Sequence, residues 1–294
     1  MSQETVIDVD NLNVRYDQFH AVKDLTFRVQ RGELYALIGT NGAGKTSTLE
    51  VVEGHRASSS GTVTIFGEDP RNRKAVRPRM GIMLQDSGFS ADLSAMETVT
   101  LIGRLTGRED QPGRVLDVVG LTTKADTRVS ALSGGEKRRL DFATAIYGSP
   151  ELIILDEPTT GLDVQSRDDL WGVVDRLRED GSTIVLTTHY LEEAQQRADR
   201  IGLMHEGAFR MQGTVAELTR TLPGTISFTL AHDAPPLPLQ SSLAANGRHL
   251  IETDSLQQDL HALLAWAQVN STELRDLDAG PTRLDDVFRS IARN

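Results

Sequence analysis

The chain has 294 residues, the length of one large domain or two ordinary ones, and a core of that size needs no disulfide or metal staple. It contains no cysteine, which excludes disulfides, thiolate metal sites and thiol catalysis. With 31 basic against 42 acidic residues the net charge is −11, which argues against a broad nucleic-acid surface and against direct adsorption to anionic lipid.

The apolar runs LIIL (152–155) and ALLAWA (262–267) fall far short of the roughly 18 residues that span a bilayer. The start, MSQETVIDVD, is acidic where a secretion signal is basic and then apolar. A soluble chain made in the cytosol is expected, and any membrane role it has requires a protein receptor.

In chain order, LTFRVQ (25–30) alternates with period two as a half-buried strand does, and LYALI (34–38) is continuously apolar, like a strand covered on both faces. A glycine loop, GTNGAGKT (39–46), follows, and TSTLEVVEG then reads as a helix. TVTIFG (62–67) and RMGIML (79–84) are further strands. From about 89 to 145 the pattern becomes helical: Ser94 and Glu97 form a capping box, RVLDVV (114–119) reads as a short helix, and LSGGEKRRLDFATAI (132–146) as a third. LIIL is the next strand. Leu170, Val173, Val174 and Leu177 line a helix that stops at Gly181, TIVLTT (183–188) is a strand, and IGLMHEGAFRMQGT reads as a hairpin turning at Glu206–Gly207. We expect this domain to span 1–221. Residues 222–294, with the strand ISFTL, the proline-rich HDAPPLPLQ, a helix marked by Leu256, Leu260, Leu263, Leu264 and Ala267, and the closing helix PTRLDDVFRSIARN, read as a small α+β appendage.

The glycine loop between a buried strand and a helix is a phosphate cradle. Its amides face the β-phosphate, Lys45 reaches the β- and γ-oxygens, and the Thr46 hydroxyl ligates Mg²⁺. LIILDEP delivers Asp156 and Glu157 at a strand's carboxyl end, where an open α/β sheet binds ligands. Asp156 is suited to holding Mg²⁺ through water and Glu157 to polarising an attacking water. Gln85 and His189 stand at the ends of two further strands, the first within reach of a metal and the second of a γ-phosphate. Ser133, Gly134 and Gly135 open a helix whose free amides form a second anion site with no lysine loop of its own. An anion brought by another copy of the chain would satisfy it, with two chains packed head to tail.

LSGGE, GTNGAGKT, Gln85, LIILDEP, GLD (161–163) and His189 resemble, in order and spacing over about residues 5–220, the nucleotide-binding subunits of ABC transporters. The resemblance implies a P-loop ATPase cassette: a RecA-like α/β core, an antiparallel β subdomain and a helical subdomain, here with the C-terminal appendage. It implies ATP and Mg²⁺ as ligands. Nucleotide contacts then fall on Gly39, Thr40, Asn41, Gly42, Ala43, Gly44, Lys45, Thr46 and Ser47, on Gln85, on Ser133, Gly134 and Gly135, and on Asp163, with Tyr16 stacked on adenine. Catalytic roles go to Glu157, His189 and Lys45, and metal contacts to Thr46, Gln85 and Asp156.

The pair Glu53–Gly54, the LSGGE helix and PTRLDDVF look like the drug- and antibiotic-exporter branch typified by daunorubicin-resistance ATPases. That branch implies a second ATP-binding subunit, most simply an identical one, and a separate membrane permease that docks near residues 85–97 and holds the chain at the cytoplasmic face of the membrane. It implies efflux of a drug, antibiotic or lipid-like compound, with no nucleic-acid partner. Glu136 stands where the family signature usually has glutamine, a variant this branch tolerates, and Thr40 where proline is common. An importer ATPase and a soluble ABC-type ATPase acting on ribosomes or DNA remain as alternatives. The second of these usually carries two cassettes or a long coiled coil, neither of which is present.

Overall fold

The opening strands β1 (Thr5–Tyr16) and β2 (Phe19–Gln30) bury Val6, Ile7, Val9, Leu12, Val14 and Leu25, Phe27, Val29, and pair antiparallel. β3 (Leu34–Gly39) is buried at every position and leads through the glycine loop into α1 (Lys45–Val52). β4 (Ser60–Ile65) completes a three-stranded sheet of order β2-β1-β4, and the single-turn helix α2 (Arg73–Val76) precedes β5 (Met80–Met83). The computed structural model describes residues 4–85, 88–220, 223–231, 234–244 and 247–292.

Three helices follow: α3 (Ala95–Thr106), α4 (Pro112–Val118) and α5 (Gly134–Ile146). They pack on one another and bury Val99, Val115, Leu116, Leu140 and Phe142. These helices separate β5 from the next strand of the main sheet. α5 also lies against β5. Gly81 makes this possible, because a Cβ there would sit 1.8 Å from the Ala145 carbonyl oxygen.

The main sheet has the order β5-β6-β7-β3-β8-β9. β6 (Leu152–Asp156), β7 (Thr183–Thr188) and β8 (Arg200–His205) run parallel to β3 and β5, and β9 (Ala208–Thr214) closes the edge antiparallel through the hairpin at Glu206 and Gly207. Between β6 and β7 runs α6 (Val164–Glu179), which buries Leu170, Trp171, Val173, Val174 and Leu177. The polar helix α7 (Leu191–Arg197), with only Ala194 buried, was not legible in the sequence. Leu49, Val51 and Val52 of α1 share one cluster with Ile7, Val9 and Leu25 on the antiparallel side and with Leu37, Ile154 and Val185 on the main sheet. That packing fixes α1, and with it the glycine loop, between the two sheets.

The second unit holds α8 (Val215–Thr219), β10 (Gly224–Thr229), β11 (Ser242–Leu243), β12 (His249–Thr253), α9 (Leu256–Val269), β13 (Arg275–Gly280) and α10 (Leu284–Ala292). Its sheet is antiparallel, β11-β12-β10-β13, over a core of Ile226, Phe228, Ile251 and Leu263. The expected boundary at Thr221–Leu222 lies outside the described residues. The compact units are 1–214 and 215–294, because α8 packs with α10. A second difference concerns α9: Leu264 is 45% exposed, and Trp266 packs against the core instead.

Candidate active site

Four strand ends meet at the carboxyl edge of the main sheet: β3 with the glycine loop, β5 with Gln85 just beyond it, β6 with Asp156–Glu157, and β7 with His189. Open α/β sheets bind ligands along this edge.

In the loop, Gly44 has φ 101°, and a Cβ there would lie 2.5 Å from the Ala21 carbonyl, so only glycine lets the chain turn into α1. Asn41, Gly42 and Thr46 are exposed, whereas Ala43 is buried. Lys45 is buried, and its ammonium donates to the carbonyls of Gly39 at 2.8 Å and Thr40 at 3.2 Å. Burial lowers its pKa, while the charges of Glu157 and Asp156 oppose that shift. The lysine is thus curled over its own loop, close enough to both carboxylates to feel them.

Asp156 is buried and accepts a hydrogen bond from the Thr187 hydroxyl. Burial raises its pKa, with the Thr187 bond pulling down and the Glu157 charge pushing up. A carboxylate that is costly to ionise where it stands is a natural partner for a cation. Together with the exposed Thr46 and Gln85 it makes a set of hard oxygen donors that fits Mg²⁺. Glu157 takes φ 49°, held there by its amide donating to the Thr187 carbonyl and hydroxyl, each at 3.1 Å. Its Oε2 accepts from the Thr160 hydroxyl at 3.2 Å and lies 3.3 Å from His189 Nδ1. Lys45, Asp156, Glu157 and His189 therefore form one cluster.

Tyr16 stands beside α1: its hydroxyl is 3.1 Å from Ser47 Oγ and donates to Glu50 Oε2 at 3.0 Å. The Arg56 guanidinium covers one face of the ring, 4.1 Å from its centroid. A base can stack only on the other face.

Ser133 caps α5 in a full capping box with Glu136, and Lys124 pairs with Glu136 at 3.2 Å. Gly134 is exposed and Gly135 half-buried, and as first-turn residues their amides have no acceptor within the helix. Asp163 caps α6, accepting from the Ser166 amide at 2.8 Å, and that bond lowers its pKa. Among the described residues, no hydrogen bond ties Ser133–Gly135 or Asp163 to the glycine loop of the same chain.

Sequence reasoning missed Arg138 and Thr187. Arg138 donates to the backbone carbonyls of Gln85 and Glu157, and Thr187 holds both carboxylate residues. Thr187 carried a signal, as the penultimate residue of a strand already placed beside the site.

The sequence pattern described as ABC transporter matches residues 22–160, and that of an ABC transporter domain-containing protein-like C-terminal domain matches 224–282. The chain is 34% identical to a Nod factor export ATP-binding protein I of Paraburkholderia xenovorans over 97% of this chain and 96% of that protein. It is 33% identical to the daunorubicin/doxorubicin resistance ATP-binding protein DrrA of Streptomyces peucetius, over 97% and 92%. Among solved structures, an ATP-binding subunit of an ABC transporter superposes with a TM-score of 0.69 at 26% identity, covering 74% of this chain and 93% of that one.

Proposed function

Because the chain belongs to the ABC transporter family, as an ATP-binding and ATP-hydrolysing subunit of the exporter type, we propose that two copies close around two ATP molecules and drive a separate membrane permease. The observation that carries this reading is a division within the chain. Lys45, Asp156, Glu157 and His189 cluster beside the glycine loop, while the first-turn amides of Gly134 and Gly135, which open α5, make no described hydrogen bond to residues 39–46.

In the closed pair each ATP lies on the glycine loop of one chain, under Ser133–Gly135 of the other. Lys45 gives up the Gly39 and Thr40 carbonyls for the β- and γ-oxygens, so the loop trades internal bonds for phosphate bonds. Thr46, Gln85 and Asp156 would hold Mg²⁺, which would supply charge neutralisation on the phosphates. Glu157 accepts the proton of the attacking water, its oxygen kept in place by Thr160 and His189. Loss of the γ-phosphate removes the anion shared by the two chains, and they separate.

The compound moved is proposed to be a drug, antibiotic or lipid-like molecule, selected by the permease, and the chain is held at the cytoplasmic face of the membrane by that permease. Among the described residues no helix is long and apolar enough to cross a membrane. Residues 215–294 are proposed as an accessory unit outside the ATP chemistry.

Glu157→Gln tests the reading. It removes the proton acceptor and keeps the phosphate contacts, so turnover falls by roughly 10²–10⁴-fold while an ATP-dependent dimer accumulates on size exclusion. Turnover above about a tenth of wild type defeats the assignment of Glu157.

A further inference from the structure

Five carbonyl oxygens from the ends of two strands converge on one side chain of α5. Arg138 Nη1 donates to the carbonyls of Leu84 at 2.7 Å and Gln85 at 3.0 Å. Its Nη2 donates to those of Asp156 at 2.5 Å and Glu157 at 2.6 Å, and its Nε to that of Pro158 at 3.3 Å. The Asp141 carboxylate, on the same helix, stands 3.5 Å away.

These acceptors are backbone, so the bonds fix the path of the chain at Gln85 and at Glu157 more than they balance charge. Only a planar guanidinium, with five donors in one plane, can bridge two strand ends this way. The side chain is 10% exposed, so little water competes for the carbonyls. Arg138 lies three residues after Gly135 and four after Gly134, which puts it on the same helix face one turn further on. The capping box of Ser133 with Glu136 stiffens the turn between them.

We propose that Arg138 is a positioning residue that couples the two ATP sites of the dimer. It ties Gln85 and Glu157, which serve the ATP on this chain's own loop, to Ser133–Gly135, which serve the ATP on the partner's loop. This rests on the shared-site reading above. When the γ-phosphate at the chain's own loop departs, the backbone at Gln85 and Glu157 resettles and α5 moves with it. The state of one site thereby reaches the amides that complete the other.

Mixed dimers separate this from a purely local role. A chain carrying both Glu157→Gln and Arg138→Lys is paired with wild type through two affinity tags and loaded with ATP in the absence of magnesium. Hydrolysis is then started with Mg²⁺, and single-turnover phosphate release is followed. The mutant chain's own loop is already inactive, so a local role for Arg138 is silent there. Release comes from the wild-type loop facing the mutant α5. Coupling predicts that it falls about two- to thirtyfold below the pair in which the mutant chain carries Glu157→Gln alone. Equal release in the two pairs overturns the proposal. Failure of the shared-site reading itself shows separately: a Lys45→Ala chain paired with a Ser133→Arg chain is then not held together by ATP, whatever Arg138 does.

Lysine keeps the charge but cannot span both strand ends, and the melting temperature of the isolated variant checks that it folds. A second measurement needs no variant. The non-hydrolysable analogue AMP-PNP with Mg²⁺, added to wild-type protein dilute enough to be monomeric, should alter amide exchange over residues 134–140. Unchanged exchange there, with the analogue bound, overturns the proposal as well.

Discussion

His189 Nδ1 stands 3.3 Å from Glu157 Oε2, and the imidazole leans on the Tyr190 ring with centroids 4.1 Å apart. The histidine at the end of β7 and the carboxylate at the end of β6 are thereby held as a pair. Thr160 and the Thr187 bonds hold Glu157 independently of His189. His189→Ala should therefore reduce kcat by up to about 10²-fold, the cost of a loosened geometry, and leave ATP affinity nearly unchanged. Steady-state ATPase assays beside equilibrium ATP binding read both quantities. A loss carried entirely by ATP affinity would mean that His189 serves binding alone.

With Arg56 over one face of Tyr16, and the hydroxyl bonded to Glu50 and beside Ser47, the ring is fixed before any base arrives. Base–aromatic stacking is worth about 1–3 kcal/mol, so Tyr16→Ala should weaken ATP binding by roughly five- to 150-fold. Tyr16→Phe keeps the ring and loses the hydroxyl bonds, and should remain within a few-fold of wild type. Titrating both variants with a fluorescent adenine nucleotide decides it, because equal losses would assign the tyrosine's contribution to its hydroxyl.

Asp141 is buried in α5 beside Arg138, and burial pushes its pKa up to about 7, with Arg138 partly opposing. Unfolded, the same carboxyl titrates near 3.8. Between those values the folded chain holds a proton that the unfolded chain releases. The stabilising effect of protonation is full below the lower value and is lost as pH rises through the upper one. Asp141→Asn, which cannot ionise, should therefore be more stable than wild type at pH 8, by an amount on the order of a few kcal/mol, with the gap narrowed at pH 5 and closed only below about pH 4. Thermal melts at the two pH values test the sign. A gap that stays constant with pH would show that Asp141 does not titrate in this range.

Much of the site was legible because its chemistry travels in contiguous motifs. The cradle at 39–46 and the carboxylates at 156–157 each sit at the end of a strand whose burial is written in LYALI and LIIL. Arg138 was not legible, since its acceptors are carbonyls that carry no residue signature and lie 53 and 54 residues back and 18 to 20 residues ahead. In the second unit, β13 reads RDLDAG and shows no buried alternation, so only its pairing with β10 reveals it as a strand. Leu264 illustrates a different failure. A leucine-rich helix offers more apolar positions than its buried face can use, and the sequence does not say which one stays outside.

Whether each ATP is shared between chains can be decided by where two lesions are placed. Lys45→Ala disables a loop, and Ser133→Arg disables the helix start that would cover the partner's loop. Pairing a Lys45→Ala chain with a Ser133→Arg chain puts both lesions into one shared site. The other site, built from the intact loop of the Ser133→Arg chain and the intact helix start of the Lys45→Ala chain, is complete. Pairing a doubly substituted chain with wild type spoils both sites once each. The first pairing should therefore be trapped by ATP and the second should not. If each site were instead built within a single chain, the order would reverse, since the wild-type member of the second pairing would be whole. Ser133→Arg also removes a helix cap, worth about 1 kcal/mol, and the melting temperature of that variant alone shows whether the loss stays local. Because the chain has no cysteine, single cysteines introduced at the interface can report the trapping by crosslinking without background. Equal trapping in the two pairings, or better trapping with the doubly substituted chain, would rule out the shared site.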